Sequence, residues 1–245
     1  DTTYITSTVP NAQDKVVFME ELTGVRCPNC PDGHREVESI LSNNPGRVLA
    51  VAVHTPFLGQ PFPGEPSLIT QAGIDMESTF GGYDGKPASL IDRVSYPGEQ
   101  YRFLGLPQWV IRVNERMMET SPVNIDVSST LSSNGNSGVI SASMVYTQVA
   151  SDHRFGILLT ENEVATTQIV GSVEVEDYEQ EHVLRRYITP VSGQGLEASL
   201  EAGRVFEKDF AFDLEEGWNS DNMEVIVWVS DANGIVHAAK AKLGE

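Results

Sequence analysis

Cysteine is nearly absent from this chain: of 245 residues only two, Cys27 and Cys30, carry a thiol. A network of structural disulfides is therefore excluded, and so is a zinc site built from four cysteines. Basic residues are scarce as well. Sixteen lysines and arginines stand against 35 aspartates and glutamates, a formal charge of -19, which repels nucleic acid and anionic lipid and removes both from the expected partners. No apolar run approaches the ~20 residues that a membrane-crossing helix requires. The five histidines are scattered, and no cofactor or metal is expected.

What the chain does contain is one informative stretch, Val16-Val-Phe-Met-Glu-Glu-Leu-Thr-Gly-Val-Arg-Cys-Pro-Asn-Cys30. Its apolar run reads as a buried strand of a parallel sheet, ended by Thr23-Gly24 where the chain turns into a helix. The spacing places Cys27 at the cap of that helix, Pro28 at its first position and Cys30 one turn later. Free N–H groups and the helix dipole favour a thiolate there, and Arg26 adds a positive charge beside it. The two sulfurs share one face, so they can close as a disulfide and reopen by thiolate attack. Two other readings stay open. The pair could be a structural staple, or half of a tetrahedral zinc site completed by His34 or His54, a reading weakened by the lack of a second cysteine pair.

Residues 1–14 read as a tether or an edge strand. After the cysteines, Val37, Ile40 and Leu41 recur at helical spacing over Pro31 to Asn44, and Asn43-Asn44-Pro45-Gly46 stops the helix. Val48 to Val53 form a second buried strand, parallel to the first, so His54 and Thr55 emerge at the cysteine end of the sheet. A long proline-rich loop, Pro56 to Pro66, carries Phe57 and Phe62 and reads as a lid or binding loop. Ser67 is placed to cap a helix bearing Leu68, Ile69, Ala72, Met76 and Phe80. A strand led by Pro87 follows, and Pro107 to Glu119 reads as the last helix of the first half.

At Ser121-Pro122 the pattern changes to period two: Ile125 and Val127; Ile140, Ala142, Met144 and Tyr146; Phe155, Ile157 and Leu159; Phe210 and Phe212; Met223, Val225, Val227 and Val229. Ser133-Asn134-Gly135-Asn136 and Asp231-Ala232-Asn233-Gly234 are hairpin turns between such runs. About seven short strands without a helix predict an antiparallel immunoglobulin-like sandwich. The fold class is thus α/β plus all-β, with a boundary near residue 120. Glu174, Glu176, Asp177, Glu179 and Glu181 read as a solvated acidic loop, and His182 and Arg185 as inter-strand contacts.

Two resemblances sharpen this reading. The strand, turn, Cys27-Pro28-Asn29-Cys30 and helix, with Gly85-Lys86-Pro87-Ala88-Ser89-Leu90-Ile91-Asp92 downstream, resemble the thioredoxin superfamily. That resemblance implies that Cys27 is the attacking cysteine, Cys30 the resolving one, Pro87 the cis-proline and Glu21 the buried carboxylate that assists proton transfer. Arg26, Lys86 and His54 are then placed to contact substrate. The chain departs from the pattern in lacking a Trp before Cys27, in having Pro-Asn between the cysteines, and in carrying Lys86 where a small or β-branched residue is usual. The entry Thr23-Gly24-Val25-Arg26-Cys27-Pro28-Asn29-Cys30-Pro31 followed by a β half with His182-Val183-Leu184-Arg185 resembles the twenty-eight-kilodalton outer membrane lipoproteins of Gram-negative bacteria.

Together these imply a thioredoxin-like domain over 1–120 and an immunoglobulin-like sandwich over 121–245, in an extracytoplasmic protein whose leader has been removed and whose lipid anchor lies upstream of residue 1. Protein or peptide thiols and disulfides are the expected partners. Three structural expectations follow. Cys27 should be exposed and the more reactive sulfur, the bond before Pro87 should be cis, and the halves should separate near 120, with all thiol chemistry in the first.

Overall fold

In the computed structural model, which describes all 245 residues, the protein is mixed α/β and mostly β. Strand β1 (Thr2–Ile5) is an edge strand. Strands β2 (Val17–Thr23) and β3 (Val48–His54) are buried along their whole length and pair in parallel, from Val17 opposite Val48 to Thr23 opposite His54. A strand covered on both faces needs no polar alternation, which is why β3 reads as a continuous apolar run and β2 as one broken only by Glu20 and Glu21. Helix α1 (Cys30–Asn43) joins them. It starts at Cys30 with Asn29 at the cap, not at Cys27: Pro31 rather than Pro28 takes the first turn, where a missing N–H costs nothing.

The loop after β3 contains a single turn, α2 (Pro56–Gly59), in which Leu58 adopts a φ of 62°. Helix α3 (Gln71–Phe80) is capped by Thr70, whose hydroxyl accepts the N–H of Gly73 at 3.0 Å. Ser67, the expected cap, accepts only the N–H of Ile69, ahead of the helix. Strand β4 (Ala88–Ile91) runs antiparallel to β2, β5 (Leu104–Gly105) pairs with β4, and α4 (Trp109–Met117) follows.

Ten strands make up the rest: β6 (Val123–Leu131), β7 (Ser137–Tyr146), β8 (Arg154–Glu161), β9 (Val164–Val170), β10 (Val173–Gln180), β11 (Val183–Tyr187), β12 (Gln194–Gly195), β13 (Arg204–Asp213), β14 (Met223–Ser230) and β15 (Ile235–Lys242). A four-stranded sheet has the order β1-β13-β7-β6. The large sheet runs β15-β14-β8-β11-β3-β2-β4-β5, with β12 also on β8, and β9-β10 form a hairpin of their own. Ile140, Met144 and Tyr146 of the smaller sheet pack on Phe155, Ile157, Val225 and Val227 of the larger one. The other face of those strands, through Leu158, Ile226 and Trp228, joins a core with Phe18, Leu22, Val51, Val53 and Met76. A third core lies under α1 and α4, where Val17, Met19 and Ala50 meet Val37, Ile40, Trp109 and Val113.

The division expected at residue 120 falls between α4 and β6 but does not interrupt the sheet. Strand β11 lies parallel to β3 with Val183 opposite Ala52, and the N–H of Ala52 donates to the His182 carbonyl at 2.8 Å. Buried charges cross the same line. Lys15 pairs with Asp92 at 2.9 Å and donates to the Ile235 carbonyl, and Arg116 bonds both Asp92 and that carbonyl. Arg93 pairs with Glu20 and donates to the Val191 carbonyl at 2.7 Å. Each of these ions has its partner within hydrogen-bond reach, which is the condition under which buried charge is tolerated.

Candidate functional site

The thiol motif sits where β2 ends and α1 begins. Gly24 is required at the turn, because a Cβ there would stand 2.4 Å from the Leu58 carbonyl oxygen. Cys27 donates its N–H to the Gly24 carbonyl at 2.9 Å, and its sulfur is joined to Cys30 across a Cα separation of 5.4 Å. With both sulfurs in that bond, neither is free to ligate zinc. Beneath the motif, Gly33 brings α1 against the sheet: a Cβ there would lie 2.5 Å from Glu21 Oε1 and 2.7 Å from Pro87 Cβ. The structure thus brings Cys27, Cys30, Glu21 and Pro87 to one place, and the Lys86–Pro87 bond is cis. The Lys86 carbonyl oxygen lies 3.7 Å from Cys27 Sγ.

Glu21 is buried and its Oε1 has no hydrogen-bond partner. Burial, with a smaller contribution from the Glu38 charge, pushes its pKa well above the ordinary carboxylate value. His34, one turn into α1, lies between the Thr23 hydroxyl at 2.8 Å and the Tyr178 hydroxyl at 2.9 Å. Its pKa is lowered to about 4 by burial and by Arg35. Behind α1 a cavity of about 730 Å³ is lined by Glu21, His34, Glu38, Tyr178 and His182, among others.

The side chains of the three residues expected to contact substrate are buried or bonded within the protein. Lys86 is buried, not a surface contact: its ammonium donates to the Thr23 carbonyl at 2.9 Å, the Thr55 hydroxyl at 2.7 Å and the Phe57 carbonyl at 2.7 Å. Burial lowers its pKa to about 8. Arg26 donates to the carbonyls of Gln60 and Pro61 and stacks on the ring of Phe62, so its charge clamps the proline-rich loop instead of facing solvent beside Cys27. His54 is 1% exposed with neither ring nitrogen paired, and burial takes its pKa down to about 3.

Nor is Cys27 exposed. Its accessibility is 1%, and that of Cys30 is 0%. The cover is the β9-β10 hairpin, from the half of the chain expected to stand apart from the thiols. Ile169 donates its N–H to the Val25 carbonyl at 2.8 Å, and Gly171 donates to the Pro28 carbonyl at 3.0 Å. The Gln168 amide donates to the Cys27 carbonyl at 3.1 Å, and Gln180 in turn donates to Gln168 Oε1. Gln168, Tyr178 and Gly33 were not singled out by the sequence. The acidic stretch read as a solvated loop is strand β10, and its signal was the alternation of Val173 and Val175 with Glu174 and Glu176.

A family model described as outer membrane protein Omp28 matches residues 76–245. That segment includes Lys86, Pro87 and the whole hairpin but not the two cysteines. No curated protein matches the chain. Among solved structures, HBP35 of Porphyromonas gingivalis is similar at a TM-score of 0.72 and 19% identity, over 96% of this chain and 77% of that one. A structural-genomics target from Agrobacterium tumefaciens follows at a TM-score of 0.56 and 14% identity, over 96% and 97%. A domain of the outer membrane lipoprotein Omp28 from Porphyromonas gingivalis gives a TM-score of 0.37 and 12% identity, over 51% of this chain and 89% of that one. At these identities the first two similarities concern the fold alone.

Proposed function

The chain belongs to the Omp28 outer membrane protein family, and from the extracytoplasmic, outer-membrane location that this carries we propose that it exchanges thiols and disulfides through Cys27 and Cys30 on a thioredoxin-like frame. The observation that carries this reading is a single disulfide at the start of α1, set above a buried carboxyl with no hydrogen-bond partner. Glu21 is costly to keep in that position, and a group kept there at a cost is a candidate for proton transfer. The order β3-β2-β4-β5, with α1 connecting β2 to β3, supports the thioredoxin-like reading. In the other half, the packing of β6, β7 and β13 on β8 and β14 supports the reading of an immunoglobulin-like sandwich.

In the reduced protein the Cys27 thiolate attacks a sulfur of a substrate disulfide, forming a mixed disulfide and releasing one substrate thiolate. Cys30 then gives its proton to the Glu21 carboxylate and attacks Cys27 Sγ, which closes the protein disulfide and releases the second substrate thiolate. The substrate gains two electrons and the protein dithiol loses them; the reverse sequence oxidises a substrate dithiol. The Lys86 carbonyl beside Cys27 Sγ is placed to pair with the backbone of an extended substrate. The substrate class is a protein or peptide met at the outer membrane.

A second reading, a binding or structural lipoprotein with a stapled CxxC, is favoured by the burial of both sulfurs. Redox titration of the whole chain in dithiol buffers, with reduction of insulin disulfides as the activity, separates the two. Exchange predicts a reversible two-electron couple and a turnover lost in Cys27→Ser. A disulfide that never equilibrates with the buffer, together with no turnover, overturns it in favour of the staple.

A further inference from the structure

We propose that the β9-β10 hairpin is a strap that closes the thiol site, and that an extended partner segment reaches Cys27 by displacing it. The purpose of the strap rests on the thiol-exchange reading, but its action as a cover does not.

The hairpin is built as a separate piece. It forms a two-stranded sheet that shares no strand ladder with either of the others. Each of its bases carries a non-glycine residue in the left-handed region, Glu163 at φ 57° and His182 at φ 55°, so the chain turns sharply into and out of the hairpin at both ends. Its outer strand is solvated, with Val173 and Val175 already exposed among the acidic side chains. Lifting it therefore exposes little new apolar surface.

What holds the strap down is mostly polar and lies along the CxxC loop. The N–H groups of Ile169 and Gly171 occupy the carbonyls of Val25 and Pro28, and the Gln168 amide occupies the carbonyl of Cys27. Two outer ties complete the seat: the Tyr178 hydroxyl on His34, and Glu65 of the proline-rich loop on the N–H of Thr167 at 3.0 Å. The apolar contribution is a small cluster of Val25, Leu68, Val164 and Val183, and Val164 and Val183 stand at the bases of the hairpin. A partner strand that presents its own N–H groups can take the same carbonyls, so competition for them opens the site. The partner is accordingly a polypeptide in extended conformation rather than a small thiol.

The test measures the rate at which a water-soluble phosphine reduces the disulfide of the intact oxidised protein. The wild type should be slow and should accelerate with a shallow dependence on urea below the unfolding transition, because reaction proceeds through local opening. Gln168→Ala, and Gln168→Ala with Tyr178→Phe, should react faster by about fivefold for each strap hydrogen bond lost. An extended peptide with a disulfide should be turned over faster by the variants than by the wild type. If the variants fold and reduce at the wild-type rate, or if wild-type reduction follows global unfolding, there is no strap. If reduction accelerates as expected but no peptide is turned over by any form, the cover stands and the thiol-exchange reading fails.

Discussion

Replacing Gly33 by alanine isolates the contact that seats α1 on the site. Gly33 lies in the helix, where alanine is favoured over glycine by about 1 kcal/mol. On local grounds the variant should be more stable. Against this, the new Cβ falls 2.5 Å from Glu21 Oε1, 2.7 Å from Pro87 Cβ and 2.9 Å from Pro87 Cγ. The proline ring is fused to its own backbone and cannot swing aside, and Glu21 is held in a buried strand, so the helix itself must lift. Overpacking of this kind costs ~1–3 kcal/mol and more when backbone has to move. The net loss should be about 2 kcal/mol, or roughly 5 °C in Tm for a chain of this size. Urea unfolding of the oxidised protein measures it. Gly85→Ala serves as the control, since a Cβ there meets nothing within 4 Å, and should leave stability unchanged to within about 1 kcal/mol. A Gly33→Ala protein as stable as the wild type, or more so, refutes the claim that α1 presses on Glu21 and Pro87.

Lys86→Met removes the ammonium from two buried carbonyls and should destabilise by about 2 kcal/mol at pH 7, the cost of leaving acceptors unpaired less the relief of no longer burying a charge. Because the folded pKa of Lys86 is about 8 against 10.5 unfolded, the unfolded chain binds more protons between those values. Wild-type stability should therefore receive a rising contribution of up to about 1.4 kcal/mol per pH unit there, and equal slopes in wild type and Lys86→Met would count against it. On the acid side, His34, His54 and His237 have folded pKa values of about 4, 3 and 4, each lowered first by burial from an unfolded 6.5. The unfolded state takes up their protons first, so stability should be full above pH 6.5 and fall toward pH 4, by up to about 4 kcal/mol per pH unit for three protons. Glu21, raised in the fold, acts with the opposite sign above its unfolded pKa. Urea midpoints from pH 7 to 4.5 check this, and a flat profile would show that these rings are not held neutral.

The sequence carried the local structure well wherever one physical signal dominated. The apolar run of β3, and that of β2 interrupted only by Glu20 and Glu21, pointed to doubly covered strands, and the period of β7, β8 and β14 set their inward faces. The cysteine pair and the strand led by Pro87 came from matching a motif, and they meet in space. Side-chain direction was not legible. Lys86 and Arg26 are charged residues flanking a reactive motif, and nothing in their neighbours indicates that one is drawn inward by three acceptors and the other laid on Phe62. The cover over the cysteines was missed for a related reason. Strand β10 shows its charges to solvent, as a loop would, and its identity depends on pairing with β9. The two halves differ in pattern, so a boundary at 120 followed from composition, while the joining of β11 to β3 rests on one short stretch far along the chain.

That joining strand has a consequence for the order of events during synthesis and export. The outer edge of β3, seven buried residues from Val48 to His54, has only the bridge of His54 to Ile69 until Val183 arrives opposite Ala52. Until then it is an open apolar edge of the kind that templates pairing with other chains. The cysteines lie close together in sequence, whereas the hairpin that covers them arrives only with residues 164–180. The disulfide can therefore form while the motif is still open to an oxidant, and the same late segment of chain that completes the sheet then seals it.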